Sequence, residues 1–244
     1  MSAEKVGVMI GMPFRHWKGT EGFHPFLKAA LQILAQLSTQ QDCPYEFTLS
    51  VAEGGLVRSR NGMVHNFKKS GCRLLVTLDD DMQQDTPQEL VDDILKLLGH
   101  RKPVVGGMYT SREARAKWIA NFMHEVELQK NGLLQVIELG AGIKCYHRQT
   151  FAELDRLIGD KIIYTDRDTG ERMMGYYQHG VIRTDLQPDG DLLPEDYFLD
   201  WLCRQCGIAI WADTTIRVKH RGADGTLYPL NDDWPPLPID EVKS

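Results

Sequence analysis

The sequence predicts an α/β fold: a mostly parallel central sheet flanked by helices, with a smaller antiparallel part in the second half. Three observations predict it. Short apolar runs alternate with segments whose apolar residues recur at helical spacing, giving β-α-β-α-β-α-β over residues 1–110. The first of those runs, ending in Gly and Pro, is continuously apolar, as a buried parallel strand is. Beyond residue 110 the runs shorten and are punctuated by turn signals such as Arg167-Asp168-Thr169-Gly170, which marks a hairpin.

In chain order, residues 5–13 form a buried strand that ends in Gly11-Met12-Pro13. Leu27, Ala30, Leu31, Leu34 and Leu37 mark a helix, and residues 46–51 a second strand. Over 56–67, Leu56, Met63, Val64 and Phe67 share one helix face while Arg58, Asn61 and His65 share another. Residues 73–78 form the clearest strand and run into Asp79-Asp80-Asp81. A helix over 87–98 and a strand over 103–109 follow. In the second half, 133–146 reads as strand broken by Gly140-Ala141-Gly142, and 151–158 as a short helix. Residues 194–206 read as a helix with Phe198, Leu199, Leu202, Cys203 and Cys206 on its apolar side. Two short strands occupy 208–211 and 216–219, and the Pro-, Asp- and Trp-rich tail from 222 reads as extended.

Composition sets bounds on function. The chain has 244 residues, 42% hydrophobic and 25% charged, which is a globular composition and not a disordered one. A net charge of −6 argues against nucleic-acid binding by bulk charge. No run approaches the roughly 20 apolar residues of a membrane span, and the N-terminus does not read as a signal peptide. Five cysteines in no even framework point to a reducing, cytoplasmic setting. Cys203 and Cys206 lack a second pair of soft ligands nearby and read as buried thiols on a helix face in preference to a zinc site.

Asp79-Asp80-Asp81 carries the strongest chemical signal. Ligands of α/β sheets bind at the carboxyl ends of strands, where these acids fall. Alternate strand positions point the same way, so Asp79 and Asp81 can converge. Hard oxygen donors suit Mg²⁺ or Mn²⁺ with phosphate and water completing the shell. A solvated acidic turn is the plain alternative.

With these residues in view, the chain resembles the GT-A-fold, nucleotide-sugar-dependent glycosyltransferases of the family-2-like group. An apolar strand plus Asp79-Asp80-Asp81 is similar to their DxD motif, and 56–61 to the Arg-Asn helix start that precedes it. Leu193-Pro194-Glu195-Asp196-Tyr197-Phe198 resembles their ED motif, and Val218-Lys219-His220-Arg221-Gly222 their closing His-x-Gly. The resemblance spans residues 5–222 and implies one GT-A-like domain over 1–244. A nucleotide-sugar-binding half would occupy 1–110, an acceptor and catalytic half 111–222 and a tail 223–244. It implies that Asp79 contacts ribose or a metal-bound water, and that Asp81 and His220 hold Mn²⁺ or Mg²⁺ with Asp79 supporting as a further metal residue. Asp80 would also lie at the donor. Asp196 would be the general base of an inverting transfer, with Glu195 orienting a neighbour or the acceptor. For Asp196 the alternative is a helix start, where acids are favoured by the dipole alone.

Arg58 and Asn61 are candidates to hold the nucleotide or its phosphates, and Pro13 to approach the base through backbone. Gly106-Gly107 and Gly140-Ala141-Gly142 either permit close approach to a sugar or are turns and bulges. Trp118, Trp211 and Trp234 either stack on sugar rings or belong to the core. The resemblance implies a hydroxyl acceptor, on a saccharide or, at the edge of the reading, on a hydroxymethylated base in DNA. Two basic stretches motivate the latter: Arg58, Arg60, Lys68, Lys69 and Arg73, then Lys96, Arg101, Lys102, Arg112, Arg115 and Lys117. This is the acceptor of phage-type transferases, which would act in a host cytoplasm and would have to flip a paired base out. Rival readings are a haloacid-dehalogenase-type phosphatase, disfavoured by Gln83, a nucleotidyltransferase, and a non-catalytic nucleotide- or sugar-binding module of the same fold.

Overall fold

A computed structural model describes residues 4–14, 24–111, 118–123, 128–184, 187–222 and 226–228. The first half contains β1 (Val6–Phe14), α1 (Pro25–Thr39), β2 (Tyr45–Glu53), α2 (Leu56–Lys69), β3 (Leu74–Leu78), β4 (Met82–Gln83), α3 (Pro87–Gly99) and β5 (Val104–Tyr109). The second contains β6 (Ala120–Phe122), β7 (Leu133–Leu139), β8 (Ile143–His147), α4 (Arg148–Ile158), β9 (Ile163–Thr165), β10 (Arg172–Met174), β11 (Gly180–Thr184), β12 (Gln187–Leu193), α5 (Glu195–Gln205), β13 (Ile210–Arg221) and β14 (Leu227–Tyr228).

Helix starts follow local chemistry. Pro25 opens α1, where its missing N–H costs nothing, and His24 Nδ1 accepts from Phe26 N at 3.3 Å. Thr86 and Glu89 form a reciprocal capping box on α3.

The central sheet has the order β2-β1-β3-β8-β5-β13-β7-β6. β1 is parallel to β2 and β3, and β5 is parallel to β13. β8 enters antiparallel between β3 and β5, and β7 lies antiparallel on β13. Two small antiparallel sheets, β9-β10 and β11-β12, complete the second half. The expected α/β class is therefore the observed one. The two halves share one sheet, since β8 and β13 of the second half flank β5 of the first.

Alternation along the strands builds two core layers. Val8, Ile10 and Met12 face α1 and α3, packing with Leu27, Leu34, Leu90 and Ile94. Met9, Leu75 and Val104 join the opposite layer with Val64, Phe67, Phe151, Leu199 and Cys203 from α2, α4 and α5. Cys203 is fully buried and burial pushes its thiol well up, so it is a core residue. All five cysteines are free thiols.

One strand differs from expectation. The two short strands read over 208–211 and 216–219 are one strand, β13, with a register shift between Asp213 and Arg217. Asp213 makes the bulge: its Oδ1 accepts from Thr215 N at 2.9 Å and from Thr215 Oγ1 at 2.6 Å. No described helix is long and apolar enough to cross a membrane.

Asp93, on α3, supplies a pH-dependent test. Burial pushes its carboxyl up to about 6, opposed by the Gln84 amide at 2.5 Å. A raised folded-state value means its stability contribution is complete below the unfolded value near 4 and lost as pH rises through about 6. Asp93→Asn keeps an oxygen for Gln84 and removes the desolvated charge. Its melting midpoint should exceed that of wild type by roughly 4 °C at pH 8 and match it near pH 4. Equal midpoints at both pH values would remove Asp93 from the pH response.

Candidate active site

The site begins where β3 ends. All five β3 residues are buried, and the chain turns at once after Leu78: Asp79 N donates to Gly142 O at 2.9 Å, and Met82 N to Asp79 O at 3.2 Å. β4 then returns along β13, pairing Met82 with His220, and Arg221 N donates to Asp81 O at 2.8 Å. The three acids are thus held at a tight turn. They line a cleft of about 680 Å³ together with Pro13 and Phe14 from the end of β1, Gly54 beyond β2, Leu56 and Ser59 of α2, and Arg221. The cleft opens at the carboxyl ends of three adjacent parallel strands, the position in which α/β sheets bind ligands.

Arg60 organises the acids and was not singled out in the sequence. It is 3% exposed. One guanidinium nitrogen donates to Asp79 at 2.8 and 3.2 Å, and another pairs with Glu195. Burial opposes its charge, but Asp79, Asp196 and Glu195 more than offset that and hold it firmly protonated. Burial raises Glu195, Arg60 opposes the rise, and Asp196 adds to it. The acids of the two halves are therefore one electrostatic unit. Asp79 is engaged by Arg60, and Asp80 and Asp81 line the cleft beside it.

His220 is nearly buried, and its ring meets Tyr109 edge-on at 5.0 Å. Its Nδ1 donates to the Thr110 carbonyl. A histidine anchored in this way presents Nε2, the arrangement common among metal-binding imidazoles. Among the described residues no group of three or more His, Cys, Asp or Glu side chains is arranged to hold a metal ion. Asp81 lines the cleft, whereas His220 lies opposite Met82 on the neighbouring strand and is not among the residues that line it.

Asp196, in the first turn of α5, is half-buried. Its Oδ1 accepts from Tyr197 N at 2.9 Å and its Oδ2 from Ala141 N at 3.3 Å. The loop at 139–142 that makes this contact is held on both sides. Thr77 Oγ1 donates to Ala141 O at 3.0 Å, and Gly142 N donates to Tyr109 Oη at 3.0 Å. Beneath it lies a fully buried ion pair, Lys144–Asp200, at 2.6 Å. Lys144 Nζ also donates to Leu139 O at 2.7 Å, while Asp200 Oδ2 accepts from Leu139 N at 2.7 Å. Both charges interrupt apolar patterns, Lys144 in β8 and Asp200 on the buried face of α5. That is the signal by which the pair is legible in sequence.

Arg58 and Asn61 do not line the aspartate cleft, and the expectation that they hold the nucleotide is revised accordingly. Asn61 clamps the Tyr177 backbone, donating to its O and accepting from its N, both at 2.8 Å. Arg58 pairs with Asp166 at 2.8 Å and with Asp168. The lysines of the first basic stretch are similarly engaged: Lys68 with Asp155, and Lys69 with Glu171. In the second stretch Lys96 pairs with Asp213, and Lys102 sits 4.0 Å over the Trp211 ring. Arg112, Arg115, Lys117 and Trp234 lie outside the described residues. Arg217 stacks over Trp118 at 5.9 Å.

The glycine pairs serve packing. A Cβ on Gly140 would lie 1.8 Å from Tyr109 Oη, and one on Gly107 2.5 Å from Ile216. The space they leave is filled by protein and not by ligand.

No family model and no curated protein matches the chain. Among solved structures it is similar to A197 from STIV, at 13% identity and TM-score 0.46 over 93% of this chain and 95% of that one. It is similar to CMP:2-keto-3-deoxy-manno-octonic acid synthetase complexed with CTP, at 10% and 0.41 over 94% and 93%. It is also similar to GalNAc-T7 with UDP, GalNAc and Mn²⁺, at 13% and 0.40 over 89% of this chain and 44% of that one. Likenesses this remote carry no argument about what the chain does.

Proposed function

We propose that the chain is a nucleotide-sugar-dependent glycosyltransferase acting on a hydroxyl acceptor with inversion. The observation that carries this reading is the Arg60 bridge. It joins Asp79, in the cleft at the carboxyl ends of β1 to β3, to Glu195 beside Asp196. A donor-binding acid and an acceptor-activating acid are thereby held in one cluster.

In this reading the nucleotide lies against Pro13 and Ser59, and Arg221 faces its diphosphate. Asp81 and His220 would hold Mn²⁺ or Mg²⁺, which when bound neutralises charge on the diphosphate. Asp196 takes the proton of the acceptor hydroxyl as that oxygen bonds to the anomeric carbon. The bond from that carbon to the diphosphate oxygen breaks, and the nucleoside diphosphate leaves with its electron pair. Glu195 and Asp79 keep Arg60 in place. A polyanionic acceptor such as modified DNA has a weak electrostatic footing, because the α2 cations are neutralised by Asp155, Asp166, Asp168 and Glu171.

A thermal-shift panel of UDP, GDP, CDP, dTDP and ADP, with and without Mn²⁺, tests the donor site. One diphosphate should stabilise wild type only with Mn²⁺, by about 2.7 kcal/mol at a hundredfold excess over Kd. Asp81→Asn should lose that effect. If no nucleotide stabilises the protein under any metal condition, the donor site falls. If a nucleoside triphosphate and a sugar phosphate react with release of pyrophosphate, the chain is a nucleotidyltransferase instead.

A further inference from the structure

The face of α2 that carries Arg58 and Asn61 opens onto a second cavity, of about 610 Å³, walled on its far side by β9 and the hairpin that follows. The geometry points to this cavity as an ancillary subsite beside the acid cluster and to a neutral saccharide as its occupant, the remote part of an acceptor whose reacting hydroxyl lies outside it at Asp196; the inference rests on the glycosyltransferase reading above.

Position is the first ground. Asn61 fixes the Tyr177 backbone at the cavity wall, and the Tyr177 ring lies 5.7 Å from the Arg60 guanidinium. Arg60 holds Asp79 and Glu195 on its other side. Two residues past Tyr177, His179 contributes to the field at Glu195. The cavity and the acid cluster are thus separated by one layer of side chains.

Chemistry is the second ground. Tyr164 and Ile163 supply an aromatic and aliphatic wall, while Arg58, Asp168, Arg167 and Lys161 bring donors and acceptors to the rim. The Arg58 fork is locked by Asp166, whose own carboxylate is also filled by the backbone N–H groups of Asp168 and Thr169 at 3.1 and 3.0 Å. The Arg58 guanidinium holds the Asp166 carboxyl down at about 2, so it stays charged. An apolar ligand would desolvate these rim charges without return. Arg58, Arg167 and Lys161 face Asp166 and Asp168 across the rim, a nearly balanced set that does not select a polyanion. A sugar ring offers an apolar face to Tyr164 and hydroxyls that both donate and accept, which satisfies both kinds of wall.

Saturation-transfer NMR on the full chain tests this without requiring turnover. The probes are methyl β-D-glucopyranoside, methyl β-D-galactopyranoside, methyl α-D-mannopyranoside and glucose 6-phosphate. At least one methyl glycoside should give signal with wild type. Tyr164→Ala, which removes the platform, and Thr165→Trp, which fills the cavity from an exposed strand position, should each weaken it by about fivefold or more. The signal should survive UDP with Mn²⁺ and the Asp81→Asn change. No signal from any methyl glycoside, a signal unchanged in both variants, or one confined to glucose 6-phosphate overturns the proposal. Failure of the donor site is read separately: both cavity variants keep the nucleotide-dependent thermal shift if that site stands. Saccharide binding with no nucleotide shift in wild type retires the transferase and leaves a sugar-binding cavity.

Discussion

Asp196→Asn should lower transfer by about 10²- to 10⁴-fold while leaving nucleoside diphosphate binding unchanged. The change is nearly isosteric. One amide oxygen remains to accept from Tyr197 N or Ala141 N, at 2.9 and 3.3 Å in the native site, so the start of α5 is preserved. What is lost is the capacity to accept a proton. The two acids of the motif are separated by their surroundings. Glu195 is buried and its carboxylate is paired with Arg60, whereas Asp196 is half-buried and its contacts are to neutral backbone N–H groups. Glu195 is committed to its ion pair with Arg60, which is why the proposed mechanism gives the acceptor proton to Asp196. Glu195→Gln should act differently. It weakens the grip on Arg60, and its effect should appear in donor affinity as well as in rate. Steady-state kinetics at saturating donor, with calorimetric nucleotide binding, separate the two. Transfer near the wild-type rate in Asp196→Asn would end its assignment as base.

The elements of the fold are legible because burial writes itself as apolar runs and helical spacing. β1, β3, α3 and α5 follow that pattern directly. The order of strands is less so. Nothing local in residues 143–147 says that β8 enters antiparallel between β3 and β5; that depends on what the rest of the sheet leaves open. β13 reads as two strands because Asp213-Thr214-Thr215 looks like a break and is in fact a bulge. At the site, the spacing of Arg58, Asn61 and His65 correctly places them on one helical face. It does not say which cavity that face meets. Leu56, two positions before Arg58, and Ser59, two positions before Asn61, turn instead to the aspartates. The basic stretch along α2 reads as solvated or anion-binding because its partners lie 87 to 110 residues later in the chain. Arg60 is hidden for a different reason: a cation among cations gives no sign that it alone is buried.

Lys144→Met should be the most destabilising single change near the site. It leaves Asp200 as an unpaired charge in a position with no exposure, at a cost of about 3–5 kcal/mol. For a chain of this size that is a fall of roughly 10 °C in melting midpoint. The double change Lys144→Met/Asp200→Leu removes both charges and their desolvation, and a buried pair replaced in this way is often neutral. Here full recovery is not expected. The pair also satisfies both peptide groups of Leu139, N to Asp200 and O to Lys144, each at 2.7 Å. Orphaning them costs about 1–3 kcal/mol each. The double variant should therefore melt above Lys144→Met and below wild type. Leu139 leads directly into the loop whose Ala141 N faces Asp196 and whose Gly142 O receives Asp79 N. Transfer in the double variant should fall further than nucleotide binding does, because the acid that needs exact placement is the one held through that loop. A double variant that melts like wild type would show that Leu139 finds other partners. One that transfers like wild type would show that Asp196 is positioned by α5 alone.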